Sequence, residues 1–164
     1  LTQFSLAGSD CTEARFDQAC LRFAELTGTK LEKATFLGTL LLAADFSGAL
    51  LSHATFTGAN LSDASFEKAI LHKVDMKGVR GRQARFVEAD LTAAVLADAD
   101  LEYADFSHAI VELVDFRGAN LSGANFHATE RTGAVLDGAR TKGMKGTNQD
   151  LLEAERWKPK ITPK

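Results

Sequence analysis

Two cysteines are all that this chain of 164 residues contains, too few for a disulfide framework. Its only prolines, Pro159 and Pro163, lie in a tail, Lys158 to Lys164, with no packing pattern. No apolar stretch is long enough to span a membrane. A nucleophile elbow, a phosphate-binding loop and metal-type Cys/His spacing are all lacking, and outward serines such as Ser47, Ser52 and Ser62 read as surface fillers. Neither sign of charge dominates, the formal net charge being −3. With 45% hydrophobic residues the chain suffices for one soluble domain with a continuous core that needs neither metal nor disulfide.

What is present is a period of five. From Leu1 to Phe126 every fifth residue is apolar at 25 of 26 positions, Gly81 being the exception. Two residues before each of these sits a small side chain, alanine at 18 of the 25 sites from Phe4 to Ala124. A helix turns 100° per residue and a continuous strand alternates faces, so neither accommodates an odd period of five. A spacing of two followed by a gap of three predicts a short strand and then a corner. Gly28, Gly38, Gly48, Gly58, Gly78 and Gly118 all fall two residues after a large apolar position, where a type II turn needs positive φ.

Charge recurrence predicts the number of corners. Stacked strands lie about 4.8 Å apart, so side chains one coil apart must interact. At a separation of 20, seven opposite-charge pairs occur against one like pair, Glu25/Asp45: Asp10/Lys30, Glu13/Lys33, Lys68/Glu88, Arg80/Asp100, Arg82/Glu102, Arg85/Asp105 and Arg117/Asp137. Separations of 15 and 25 give more like than opposite pairs. The expected fold is therefore all-β, a four-sided parallel β-helix of about seven coils and roughly 34 Å length at the strand spacing. In that register Phe46, Phe66, Phe86, Phe106 and Phe126 form one aromatic column and Phe16, Phe36, Phe56 and Phe116 the opposite one, with mainly leucine between.

At this point the chain resembles the pentapeptide-repeat family, whose motif is A(D/N)LXX. Ala59-Asn60-Leu61, Ala89-Asp90-Leu91, Ala99-Asp100-Leu101, Ala104-Asp105-Phe106, Ala119-Asn120-Leu121 and Ala124-Asn125-Phe126 match it literally. The resemblance covers about 140 residues and implies a right-handed quadrilateral β-helix. It implies no common activity, because the motif specifies a core and turns.

The domain division expected is a repeat body over 1–146, a capping helix over 147–158 and a flexible tail over 159–164. Register weakens at Arg131, returns at Leu136 and is lost after Ala139. Asn148 to Trp157 reads as a short helix with Thr147 or Asn148 as N-cap, and Leu151, Leu152 and Trp157 are expected to seal the core. The other end starts in register without a capping element, so Leu1, Phe4 and Leu6 are expected to meet an upstream domain, a protein partner or a second copy in an end-to-end homodimer. Cys11 falls on an inward position and Cys20 on an outward one, which keeps them apart and suits a reducing, cytoplasmic setting or export within a larger secretion-associated protein.

The departures from the repeat are the candidate sites. Outward apolar residues Cys20, Phe23, Leu37, Leu40 and Leu42, with Leu50 and Ile70 on another face, form a candidate protein-binding patch. Residues 68–85 carry six Lys or Arg and one acid, and residues 86–116 eight acids and no Lys or Arg, a pattern that stacking would neutralise. Val79 is expected to fill the space left by Gly81, a bulge being the alternative. His53/His72 and His108/His127 are diagonal neighbours, but neither pair shows a third ligand, so solvated histidines and no metal or cofactor are expected. The reading is a non-catalytic protein-protein interaction or spacer module of a larger bacterial protein. Such modules resemble those of secretion-associated adaptors and effectors. The alternative drawn from the family is imitation of DNA toward gyrase or another topoisomerase. Residues 1–139 hold 12 basic and 19 acidic residues, net −7, a poor imitation of a duplex carrying one charge per ~1.7 Å. No face is uniformly basic, which disfavours nucleic acid itself.

Overall fold

A computed structural model describes residues 4–156 of the chain. Every fifth residue from Ser5 to Asn125 forms a parallel bridge to the residue twenty positions later, the first being Ser5 with Glu25 and the last Asn125 with Lys145. Four bridges therefore complete one circuit, and the charge recurrence at 20 reports a real stacking distance. The short strands expected from the spacing shrink to isolated bridge residues, because a corner every five residues leaves no room for a longer ladder. Each bridge residue is still bonded on both sides: Asp45 N–H donates to Ala24 O at 2.9 Å, and Asp45 O accepts from Leu26 N–H at 2.7 Å.

The corners are uniform. Within each, the N–H of one small inward residue returns to the carbonyl three positions earlier, as from Ala54 to Leu51 at 2.9 Å. The third turn residue has positive φ at all 28 sites from Gly8 to Gly143, and only 11 of these are glycine. Glycine is thus favoured by the turn but not demanded by it. Much of the remaining definition comes from the Asp or Asn of the repeat: Asn60 Oδ1 accepts from Ser62 N–H at 3.1 Å and from Ser62 Oγ at 2.8 Å. Asp45, Asp90, Asp105 and Asn120 grip Ser47, Thr92, Ser107 and Ser122 in the same way. These side chains supply the backbone partner of a tight turn and so favour the corner over extended chain.

Between Leu21 and Phe126 the inward side chains form one buried core. The five rings Phe46, Phe66, Phe86, Phe106 and Phe126 stack at centroid spacings of 4.8 to 5.1 Å. The opposite column meets them edge on, Phe36 to Phe46 at 5.8 Å and Phe106 to Phe116 at 5.8 Å. Threonine replaces the small apolar residue at positions 29, 39 and 129 and is satisfied by donating to the coil below, Thr39 Oγ1 to Phe16 O at 2.8 Å for instance. At Gly81 the ladder runs through unbroken, with Gly81 N–H on Asp100 O at 2.7 Å, so there is no bulge. Leu101 closes on the position: a Cβ on Gly81 would lie 3.0 Å from Leu101 Cδ2 and 3.7 Å from Ala84 Cβ, and Val79 is buried in the same core.

The repeat also runs further than its sequence register suggests. Bridges continue to Arg140 and Lys145, and Leu136, Ala139 and Met144 pack on the core although partly exposed. Arg131 occupies an inward register position yet stays exposed, its guanidinium 5.8 Å from the Phe126 ring centroid, a cation–π contact that replaces an apolar side chain. Helix α1, Gln149–Arg156, follows. Asn148 is its N-cap, Oδ1 accepting from Leu151 N–H at 3.1 Å. Leu152 is half-buried, whereas Leu151 is 48% exposed and does not seal the core. Trp157 and the tail over 159–164 lie outside the described residues. Among the described residues no helix is long and apolar enough to cross a membrane.

Candidate binding surfaces and a histidine cluster

The solenoid brings five of the seven outward apolar residues together. Cys20 and Leu40 are bridge partners on one face. Leu37 lies at the corner on one side of them, and Leu42 and Phe23 at the corner on the other, where Phe23 N–H donates to Leu42 O at 2.9 Å. Phe23 is 58% and Leu40 44% exposed, while Leu42 is half-buried. Leu50 and Ile70 are also bridge partners but lie on the opposite face, half a circuit away, so the seven residues make two patches. At the N-terminal end Phe4 is exposed and Leu6, Cys11 and Phe16 are only partly buried; Leu1 lies outside the described residues. Cys11 and Cys20 are both free thiols. Tyr103 and Leu113, which the spacing did not single out, are with Phe23 the most exposed large hydrophobic residues among those described. Tyr103 and Leu113 each lean over a glycine one coil on, the Tyr103 ring coming within 2.5 Å of where a Cβ on Gly123 would stand.

Charges pair mostly between adjacent coils, directly or diagonally, and less often within one. Of the seven pairs expected at separation 20, Asp10–Lys30 at 3.6 Å, Glu13–Lys33 at 3.1 Å, Lys68–Glu88 at 3.9 Å and Arg82–Glu102 form. Arg85 turns instead to Glu67 at 3.2 Å, diagonally across to the preceding coil, and Arg117 to Asp115 at 2.6 Å, two residues away in the same coil. The acids of residues 86–116 are largely engaged: Asp90 with Thr92 and His72, Asp100 with Arg82 and Asn120, Asp105 with Ser107 and Asn125. Hydrogen bonds from Arg117 hold the Asp115 carboxyl below its ordinary range. At Asp90 partial burial pushes upward and is outweighed by bonds from Thr92 and His72.

The second pair of histidines behaves differently from its expectation. His127 is not solvated but 5% exposed, because α1 and its cap pack against it. Asn148 N–H donates to His127 Nδ1 at 3.0 Å, and His127 Nε2 lies 3.3 Å from Glu155 Oε2. His108 Nε2 is 3.3 Å from the same oxygen. A cavity of about 430 Å³ beside them is lined by Ser107, Asn125, Lys145 and Asn148. Glu155 is the third group that the pair lacks in the repeat register. Nothing in the spacing places it there, since it arrives from the helix.

The uniform four-sided circuit of parallel bridges defines a β-helix solenoid, and its likeness to solved pentapeptide repeat proteins implies that it is right-handed. The family description "Pentapeptide repeat region" matches residues 51–126, and "Pentapeptide repeats (8 copies)" matches residues 1–41 and 114–140. The chain belongs to the pentapeptide-repeat family. Among solved structures it is similar to a pentapeptide repeat protein from the thylakoid lumen of Arabidopsis thaliana, with 41% identity and a TM-score of 0.51 over 52% of this chain and 59% of that one. It thus spans less than two thirds of that relative. HetL of Nostoc, involved in heterocyst differentiation regulation, is 25% identical over 88% of this chain and 85% of its own, with a TM-score of 0.36. Full-length QnrB1, a plasmid-mediated fluoroquinolone resistance protein, is 21% identical over 94% and 97%, with a TM-score of 0.30. Comparison with curated proteins finds no match.

Proposed function

We propose that the chain is a non-catalytic protein-binding module whose docking surface is the patch formed by Cys20, Phe23, Leu37, Leu40 and Leu42. The observation that carries this reading is their convergence on one face and its two corners, whereas the other outward apolar residues, Leu50 with Ile70, Tyr103 and Leu113, stand singly or in pairs. The patch begins in the same end coils as the partly buried Leu6, Cys11 and Phe16, so one partner, whether another protein, an upstream domain or a second copy, can cover both. The repeat over 1–146 supplies a rigid rod, and α1 caps its far end. Unpaired Cys11 and Cys20 fit a cytoplasmic setting; the lumenal address of the Arabidopsis relative is the competing one, and fractionation of the source cells separates them.

Proximity labelling in those cells, comparing the native chain with a Phe23→Asp/Leu40→Asp variant of unchanged circular dichroism, tests the docking surface. Neighbours lost in the variant support it, and an identical set of neighbours refutes it. Light scattering adds whether the neighbour is a second copy: a dimer that the variant reduces to monomer identifies one. The DNA-imitation alternative is weakened by the engagement of the acidic band with Arg82, His72, Arg117 and turn hydroxyls. A gyrase supercoiling assay in which the chain inhibits would restore it.

A further inference from the structure

We infer that His108, His127 and Glu155 form a binding site for one divalent transition-metal ion of the zinc or cobalt class, joining α1 to the last coils. Three separate segments deliver the ligands: the corner after Phe106, the corner after Phe126, and α1. Both histidine Nε2 atoms stand 3.3 Å from Glu155 Oε2, and the three ligand atoms lie within 4.8 Å of one another. Ligands 2.0–2.1 Å from a tetrahedral ion sit about 3.4 Å apart, so two of the three edges are already at length. The third closes by rotation of His108, an exposed side chain on a surface corner. Two imidazoles and a carboxylate are a borderline-soft set suited to zinc, and the adjoining cavity leaves the fourth position to water. Lys145 lines the same cavity and its ammonium opposes a cation, but it is exposed and therefore screened by solvent.

The His127 tautomer gives this site a signature that a chance surface cluster lacks. Asn148 N–H donates to Nδ1, so the neutral ring carries its proton on Nε2, directed at Glu155. An ion at Nε2 displaces that proton, and Nδ1 takes one up, with no net release. Asn148 N–H then loses its acceptor and turns to water, which its exposed position allows. Metal binding is in this way coupled to the N-cap of α1.

The test uses the untagged 164-residue chain, with zinc titrated by calorimetry, cobalt followed by visible absorption, and the Asn148 amide observed by NMR. One ion per chain, tetrahedral cobalt bands and a shifted, faster-exchanging Asn148 amide are expected. His108→Ala, His127→Ala and Glu155→Ala are each expected to weaken binding at least about tenfold. Glu155→Gln keeps the hydrogen-bonding shape but is a poor ligand, and gives the same loss without risk to α1. His72→Ala, whose histidine pairs with Asp90 elsewhere, leaves binding unchanged. Binding that persists in Glu155→Gln, no binding at zinc well above the protein concentration, or an Asn148 amide unmoved by the bound ion would overturn the proposal.

Discussion

The coils from Leu21 to Phe126 and the stretch from His127 to Lys145 follow the same backbone rule and reach different ends. In the first, inward residues are almost wholly excluded from solvent, and Phe36, Phe66, Phe86 and Phe106 each have a ring stacked on both sides. In the second the bridges and positive-φ corners continue, but Ala134, Leu136, Ala139 and Met144 are half-exposed and an arginine stands on an inward position. Backbone pairing therefore does not need a perfect core; it needs only an adjacent coil to pair with. The core decides how much each coil contributes, and coils with one neighbour contribute less. Where the repeat relaxes, polar side chains become available, and the histidine cluster lies there.

Substitutions can break this contrast. Phe86→Ala removes a ring stacked at 5.1 and 4.8 Å on both sides and is expected to cost about 3–5 kcal/mol in urea unfolding. Phe16→Ala, half-buried with a single stacked neighbour, Phe36, is expected to cost about 1–2 kcal/mol; equal losses would mean that the ends are as consolidated as the middle. Gly81→Leu restores the repeat residue but drives it into Leu101, already 3.0 Å from a single added carbon. A destabilisation of about 1–3 kcal/mol is expected, and a stabilised variant would show that the space was a cavity.

Smaller effects test the corners. Gly58 has φ 68 and open space around it, so Gly58→Ala isolates the backbone cost, about 1 kcal/mol. Asn60→Ala deletes the acceptor of Ser62 N–H and is expected to cost about 0.5–1.5 kcal/mol by the same measurement. A neutral result would assign the corner to the core alone. The least effect is that of acid. Hydrogen bonds from Thr12 lower Asp10, the backbone N–H of Leu37 lowers Asp17, and Arg117 lowers Asp115. A carboxyl depressed in the folded state contributes above its unfolded value of about 3.9 and loses that contribution as pH falls through the folded value. The melting temperature should hold from neutral pH to about pH 4 and decline below it; a decline starting well above that would point to groups other than these carboxylates.

Much of this was legible in the chain. The apolar period gave the columns of phenylalanine, and charge recurrence gave the twenty-residue circuit. The turn grip of Asn60 on Ser62, or Asp105 on Ser107, carried a signal that spacing alone could have revealed, since Asp or Asn with Ser or Thr two residues on is a turn signature. The patch around Leu40 was legible in the twenty-residue register, which already set Leu50 and Ile70 on another face, while the exposure of Phe23 and the partial burial of Leu42 were not. Glu155 beside His108 and His127 was not legible, because no period relates a docked helix to the corner it touches.

The sequence by itself determined the coil: every residue repeats its neighbour's local task, so inward or outward placement follows from position modulo five and stacking from position modulo twenty. Only the tertiary structure decided how the exceptions resolve. Leu101 closes on Gly81, Arg131 covers Phe126, Arg85 chooses Glu67, and α1 buries His127. Each depends on which of several reachable neighbours gives the shortest contact at least loss of solvation, and that choice is made between side chains in space rather than along the chain.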